Sequence, residues 1–261
     1  MKNNFALITG ASQGLGLALA EELAKQKFNL LLAALPNENL SDTSERIAND
    51  FNVTVDYFEA DMTEKSNVIA LGEWANNYKV SILINNAGSG GSKRITEVSL
   101  EYIEKIIQLN VTSTSMLTKL LLPNLIESKE GYIMNISSMA AFSPMGYKTV
   151  YPASKKFIDH FSMGLREELK DKNVSVTVVY PGPMKTNDEV TSRIESQSKF
   201  VNLGVVELDE IARMSISKMF KGKRRVVPGR LNRISKFILS VLPSNTKIKM
   251  LSNAMRKEIQ A

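Results

Sequence analysis

Tyr151 and Lys155 stand four residues apart in the run Tyr151-Pro152-Ala153-Ser154-Lys155. On a helix, residues four apart differ by about 40° in direction, so the phenol and the ammonium leave the same face. A phenol titrates near pH ~10 in water, and a neighbouring ammonium stabilises the phenolate. Such a pair can act as a general acid or base on a reacting oxygen. Pro152 fits the helix only within its first turn, where its missing N–H has no partner to lose. The same spacing also arises incidentally on surface helices, so it needs support from elsewhere.

Support comes first from the N-terminal run Thr9-Gly10-Ala11-Ser12-Gln13-Gly14-Leu15-Gly16. Glycines let the backbone turn sharply and approach a pyrophosphate, while a helix N-terminus supplies unpaired N–H groups and partial positive charge. The spacing is G-x-x-x-G-x-G, which differs from the G-x-G-x-x-G of the common dinucleotide fingerprint. An ordinary tight strand–helix turn would look similar. Elimination adds a second kind of support. The 261 residues contain no cysteine and one histidine, so thiol nucleophiles, disulfides and His/Cys metal sites are excluded. Proton chemistry then falls to Tyr, Lys, Ser or carboxylates. His160 lies nine residues beyond Tyr151, on the opposite side of the same helix, and is expected to be structural or at an interface.

Positioning these residues requires a framework. Apolar runs at Phe5–Thr9, Asn29–Ala34, Val53–Ala60, Ser81–Asn85, Gly131–Ile136 and Val174–Tyr180 read as buried strands. Amphipathic stretches near 14–25, 42–50, 64–77, 100–121 and 152–170 lie between them. This alternation predicts an α/β fold with a doubly wound parallel sheet of about seven strands, the last near Arg224–Val227. With 43% hydrophobic and 23% charged residues the chain can build such a core as a single domain. The first apolar run is too short for a secretory h-region and nothing approaches a spanning helix, so a cytoplasmic protein is expected.

The order of motifs along this framework resembles the classical short-chain dehydrogenase/reductase family. The resemblance spans roughly residues 4–190 and rests on the Gly10/Gly14/Gly16 turn, Asp61, Asn85-Asn86-Ala87-Gly88, Asn110, Ser137-Ser138, the Tyr151/Lys155 pair and Pro181-Gly182-Pro183-Met184-Lys185-Thr186. It implies a Rossmann-type fold and an NAD(P)-dependent oxidoreductase that interconverts an alcohol and a carbonyl. By the same resemblance Tyr151 exchanges a proton with the substrate oxygen, Lys155 assists it and holds the nicotinamide ribose, and Ser138 hydrogen-bonds the carbonyl. Consecutive strand residues face opposite sides, so only one of Ser137 and Ser138 can serve, and Ser138 is the choice. Asn110 holds a water in a relay to solvent. Cofactor contacts fall to Gly10, Ser12, Gln13, Gly14, Leu15, Gly16, Asp61, Asn86, Ala87, Gly88, Pro181, Gly182 and Thr186, together with Tyr151 and Lys155. No metal is expected. A non-catalytic dinucleotide-binding regulator is the alternative, and retention of both Tyr151 and Lys155 argues against it.

The dinucleotide is less determined. Ala33-Ala34-Leu35-Pro36-Asn37 carries neither the acid expected for an NAD ribose nor a base for the NADP phosphate, and Gln13 stands where a basic residue often marks NADP. The missing acid favours NADP over NAD, with Ser12, Asn37 or Arg46 as contacts. The substrate lining is expected from Ala140, Phe142, Pro144, Met145, Tyr147, Pro183 and Met184, which suits a small hydrophobic carbonyl or alcohol. Family resemblance implies a homodimer or homotetramer.

Charge separates the chain into two parts. Residues 1–200 hold 20 Lys/Arg and 23 Asp/Glu, whereas residues 201–261 hold 13 and 4. A catalytic domain over 1–229 and a basic helical extension over 230–261 follow, and a branch of the same family shares such a tail. Leu231, Ile234, Phe237, Ile238, Val241 and Leu242 form an apolar stripe that Pro243 ends, with a second helix expected through 246–258. Packing on the domain or a subunit contact is the first reading of the stripe, and peripheral contact with anionic lipid the second. No nucleic-acid motif accompanies the charge.

Overall fold

The computed structural model describes residues 4–185 and 204–260. Seven parallel strands form one sheet in the order β3-β2-β1-β4-β5-β6-β7. They are β1 (Phe5–Thr9), β2 (Asn29–Ala34), β3 (Val55–Glu59), β4 (Val80–Asn85), β5 (Gly131–Ile136), β6 (Val174–Val179) and β7 (Arg225–Val226). The helices are α1 (Gly14–Lys25), α2 (Leu40–Phe51), α3 (Lys65–Ala75), α4 (Leu100–Ile107), α5 (Ser113–Glu127), α6 (Val150–Glu168), α7 (Leu208–Phe220), α8 (Arg230–Val241) and α9 (Ser244–Gln260). The doubly wound Rossmann-type sheet expected from the alternation is therefore present.

Strand β1 shows why. Ala6 and Ile8 point into the layer formed with α1, α2 and α7, while Leu7 points into the layer formed with α3, α5 and α6. All three are fully buried, as a central parallel strand covered on both faces demands. The third strand is shorter than its apolar run because it lies at the sheet edge, where every residue of Val55–Glu59 keeps some exposure.

Two helices depart from expectation. The stretch read as one helix over 100–121 is α4 and α5 joined by a single wide π-type turn at Gln108–Thr112, and it continues to Glu127 through Pro123. Proline inside a helix costs about 3 kcal/mol. Burial of Leu121 and Leu125 on the sheet outweighs that loss. In α8 the apolar stripe does not pack on the domain. Leu231, Ile234, Phe237, Ile238 and Val241 are exposed, and the face turned inward carries Asn232, Ser235, Lys236 and Leu239. Helix α9 has the ordinary polarity, with Ile248, Leu251, Met255 and Ile259 inward and Lys249, Asn253, Arg256 and Lys257 outward.

Helix α6 is fastened to the sheet by Asp159, which is 2% exposed. Its carboxylate accepts from Lys156 Nζ at 2.7 Å, Tyr180 OH at 2.5 Å and Arg225 Nη2 at 2.9 Å. Burial opposes ionisation, but these three donors outweigh it and hold the carboxyl at about 2 instead of 3.8. Burial and the adjacent carboxylate push the Tyr180 phenol up. A carboxyl whose pKa falls on folding stabilises the protein above its unfolded value and loses that contribution as pH drops through its folded one. Asp159→Asn is expected to cost about 3 kcal/mol at pH 7. In urea unfolding the gap between variant and wild type should narrow as pH falls from about 4 toward about 2.

Candidate active site

The sheet order reverses between β1 and β4, so their C-terminal ends open a crevice. Polar contacts fix its floor. Thr9 Oγ1 accepts from Asn86 N at 3.1 Å and Ala87 N at 3.0 Å. Asn86 Nδ2 returns bonds to Thr9 O at 2.9 Å and Gly10 O at 3.0 Å. The turn after β1 and the turn after β4 are thereby joined as one surface.

Two glycines of that turn adopt positive φ, Gly10 at 65° and Gly14 at 59°, which other residues disfavour. At Gly16 a Cβ would lie 1.9 Å from Gly10 O, so helix α1 could not start this close to the strand with any side chain there. Gln13 occupies the N-cap with extended backbone and makes no side-chain cap. The first-turn N–H groups of α1 thus suit an external anion, and the cradle fits a dinucleotide pyrophosphate. Leu15 is buried behind it in the core.

Lys155 is 5% exposed, and its Nζ donates to Ile136 O at 3.0 Å. The ammonium lies 5.8 Å from the centre of the Tyr151 ring. A Cβ on Gly88 would come within 3.0 Å of both Lys155 Nζ and Asn110 Oδ1, so Gly88 is the small residue that lets the three meet. Burial draws the Lys155 ammonium down from 10.5 to about 8. Asn110 sits in the wide turn between α4 and α5. Its Nδ2 donates to Ser89 O and Ser154 Oγ, both at 2.9 Å, and its Oδ1 accepts from Ser89 N at 2.9 Å. With both amide hydrogens engaged, a water relay at Asn110 would use the backbone carbonyl or the remaining Oδ1 lone pair.

The two serines after β5 have separated as strand alternation requires. Ser137 is buried and its hydroxyl donates to Lys155 O at 2.7 Å. Ser138 is half-buried, and its oxygen accepts from Ala140 N at 3.1 Å, which leaves the hydroxyl proton able to donate. Pro152 lies in the first turn of α6. His160 is exposed, away from the pair.

A family model for short chain dehydrogenases matches residues 4–197. The chain belongs to the short-chain dehydrogenase family. It is 30% identical over 223 residues to hydroxysteroid dehydrogenase-like protein 1 of Gallus gallus, covering 84% of this chain and 66% of that protein. It is 28% identical over 268 residues to the very-long-chain 3-oxoacyl-CoA reductase of Anas platyrhynchos, covering 98% and 81%. Thus the chain spans a little under two thirds of the first of these relatives. Among solved structures, a short-chain dehydrogenase from Sphingobium yanoikuyae in complex with NADPH superposes with a TM-score of 0.78 at 28% identity, over 92% of this chain and 96% of that one.

Within this short-chain dehydrogenase the remaining expected residues divide. Asp61 Oδ1 accepts from Thr63 N at 2.9 Å and Thr63 Oγ1 at 2.8 Å, a local turn that orients the carboxylate at the crevice end of β3. Pro181 O accepts from Met139 N at 3.0 Å, which ties the loop after β6 to the loop after β5. Thr186 lies outside the described residues. Of the expected substrate lining, Phe142 packs its ring 4.8 Å from that of Tyr180, and Met184 packs against the core layer of α1 and α7. A small surface crevice at Tyr151 is lined by Gly91, Lys93, Ile95, Val98, Tyr102, Lys148, Thr149 and Val150.

Several residues here carried no readable signal. Glu38, one residue past Ala33–Asn37, returns to the glycine turn through positive-φ residues Asn37 and Asn39 and accepts from Ser12 Oγ at 2.5 Å. Ser154 joins Asn110 to Tyr151 O, the latter at 2.7 Å. On Gly90, a Cβ would stand 2.5 Å from Tyr151 Cδ2. Asn232 of α8 closes against Gly182, where a Cβ would lie 2.6 Å from its amide. Helix α9 spans the mouth, with Gly146 N donating to Ser252 Oγ at 2.7 Å and Ser92 Oγ to Glu258 Oε1 at 3.0 Å.

Two measurements follow. Gly90→Ala must displace the Tyr151 ring, so it is expected to lower kcat by about 100-fold while circular dichroism and melting temperature stay near wild type. Lys155, whose pKa falls on folding, binds its proton more tightly in the unfolded chain between about 8 and 10.5. Stability of the cofactor-free protein should therefore gain a rising contribution over that window, which Lys155→Met removes.

Proposed function

We propose that this protein is an NAD(P)-dependent oxidoreductase that interconverts a hydrophobic carbonyl compound and its alcohol, with Tyr151 as general acid and base. The observation that carries this reading is the buried Lys155 ammonium beside the Tyr151 ring, at the crevice where the sheet order reverses. When bound, the nicotinamide dinucleotide supplies or accepts the hydride. In the reducing direction Tyr151 gives its phenolic proton to the substrate oxygen, and the Lys155 charge stabilises the phenolate that remains. Ser138 donates a hydrogen bond to the same oxygen, keeping its own proton, and stabilises the charge that develops there. Asn110 keeps Ser89 and Ser154 in place and lies on the path by which the phenolate regains a proton. Ser137 acts through Lys155, by holding the backbone of that residue.

The Gly10–Gly16 turn would hold the pyrophosphate and Asp61 the adenine, with Asn86, Ala87, Gly88, Pro181 and Gly182 as further contacts; Thr186, the remaining contact that the resemblance implies, lies outside the described residues. A short-chain dehydrogenase solved in complex with NADPH supports NADPH, and residues 33–37 hold no acid, whereas Glu38 brings a carboxylate to the glycine turn and favours NADH. Glu38 sets the ratio of the two forms. A ribose 2′-hydroxyl can donate to its carboxylate, whereas a 2′-phosphate must displace it from Ser12. Glu38→Gln is expected to raise kcat/KM for NADPH relative to NADH by about 10-fold, or about 1.4 kcal/mol. An unchanged ratio removes Glu38 from cofactor selection.

The substrate reading draws on the names of the relatives, an acyl-CoA ketone reductase and a hydroxysteroid dehydrogenase-like protein. The proposed assembly is a homodimer or homotetramer formed through α4 and α6, where Leu100, Ile107 and Phe157 are exposed on neighbouring helices. The proposed setting is the cytoplasm, and among the described residues no helix is long and apolar enough to cross a membrane.

A panel of ketones and aldehydes assayed with NADPH and NADH tests the catalytic reading. Wild type should turn over at least one of them, and Tyr151→Phe should lose about 10³-fold or more in kcat while still binding cofactor. Cofactor binding without turnover on every compound, unaffected by Tyr151→Phe, would instead describe a dinucleotide-binding regulator.

A further inference from the structure

Helix α8 has its polarity reversed relative to the domain it sits on. Five large apolar side chains point away from the protein, with Phe237 68% exposed, Val241 64%, Ile234 54%, Ile238 44% and Leu231 42%. Its inward face is held by polar groups. Buried Asn232 donates to Pro228 O at 3.0 Å and Gly204 O at 3.1 Å, and Lys236 lies 5.0 Å over the Phe142 ring. Folding energetics favour the opposite arrangement, because burying apolar surface stabilises a domain and exposing it does not. The stripe is contiguous, along one side of a 12-residue helix, so it is a patch and not scattered exposure.

The charge on the two helices selects the partner. Arg230 and Arg233 are exposed on α8, and Lys249, Arg256 and Lys257 are exposed on the outward face of α9. From Ile211 onward the chain has one acidic residue, Glu258, and Ser92 donates to it on the inward side. Two copies joined through this face would bring two strongly basic surfaces together. An anionic lipid surface offers both an apolar layer for the stripe and negative headgroups for the cations.

We propose that the exposed face of α8, with the cations of α8 and α9, docks this protein on the surface of an anionic bilayer. The stripe enters the interface between headgroups and acyl chains, and residues 230–261 serve as a docking appendage to the catalytic domain of residues 1–229. Helix α9 bridges the loops that flank Tyr151, so docking sets the mouth of the active site beside the lipid. The proposal concerns binding alone and stands whether or not the enzyme assay identifies a substrate.

Flotation of the full-length protein with vesicles of phosphatidylcholine and phosphatidylglycerol at 3:1, or of phosphatidylcholine alone, tests it. Wild type is expected to float with the anionic vesicles and to bind at least 10-fold less to the neutral ones or in 0.5 M salt. The double variant Phe237→Ser/Val241→Ser changes two outward side chains and should keep its melting temperature while losing at least 10-fold in anionic binding. Wild type that stays with the unbound fraction, or a folded double variant that floats equally well, overturns the proposal. If wild type ignores vesicles yet sediments as an oligomer that the double variant dissociates, the face is a contact between copies and the lipid assignment fails.

Discussion

The site depends on keeping an ammonium group out of water. Lys155 gains one backbone carbonyl and the neighbourhood of a phenol in return for its hydration. That exchange is unfavourable enough to draw its pKa down by burial alone. Everything around it reads as a means of tolerating this one charge. Gly88 leaves room for it, Ser137 grips its backbone, and Asn110 and Ser154 lock the helix turn that presents it. The charge is useful to the proposed reaction for the same reason that it is expensive to hold: a poorly hydrated cation acts strongly on an adjacent oxygen.

Helix α6 carries this arrangement at its first turns and the Asp159 cluster one turn later. Lys155 and Asp159 are both buried and lie four residues apart, so the same face that presents the reactive ammonium also fastens the helix to β6 and β7. The wide turn at Gln108–Thr112 answers from the opposite side, by directing Asn110 inward where regular helix would have turned it elsewhere. Position in this site is therefore set by rigid elements, and the loops contribute mainly the boundary.

Much of this is legible in the sequence. Parallel strands buried on both sides announce themselves as unbroken apolar runs, so β1, β2 and β5 agree with their sequence limits residue for residue. Tyr151 and Lys155 were legible because helix geometry fixes their relation locally, and Ser137 and Ser138 because strand alternation does. Contacts created by long-range closure were not. Glu38 meets Ser12 across 26 residues, and Ser252 meets Gly146 across 106. No local pattern encodes either meeting. Gly90 shows a third case: the requirement for glycine comes from a ring that arrives sixty-one residues later in the chain. The α8 stripe is legible as a stripe, but of the readings the sequence leaves open (packing on the domain, a contact between copies or a lipid surface) the structure removes only the first. Periodicity shows that a helix has two sides, not which one the protein keeps for itself.

A centre built around a poorly hydrated cation would also tie the stability of the folded chain to the occupancy of its site. Any molecule that offers hydroxyl oxygens to Lys155 in the folded state, and finds no such site in the unfolded chain, shifts the folding balance in proportion to its occupancy. At a concentration of 100 times its Kd the gain is about 2.7 kcal/mol, a sizeable part of the stability of an ordinary domain. Copies of the chain without dinucleotide would spend more time open and meet proteases sooner. The stability of the folded chain would then follow the supply of nicotinamide dinucleotide, with the buried lysine as one of several groups that contribute to the linkage.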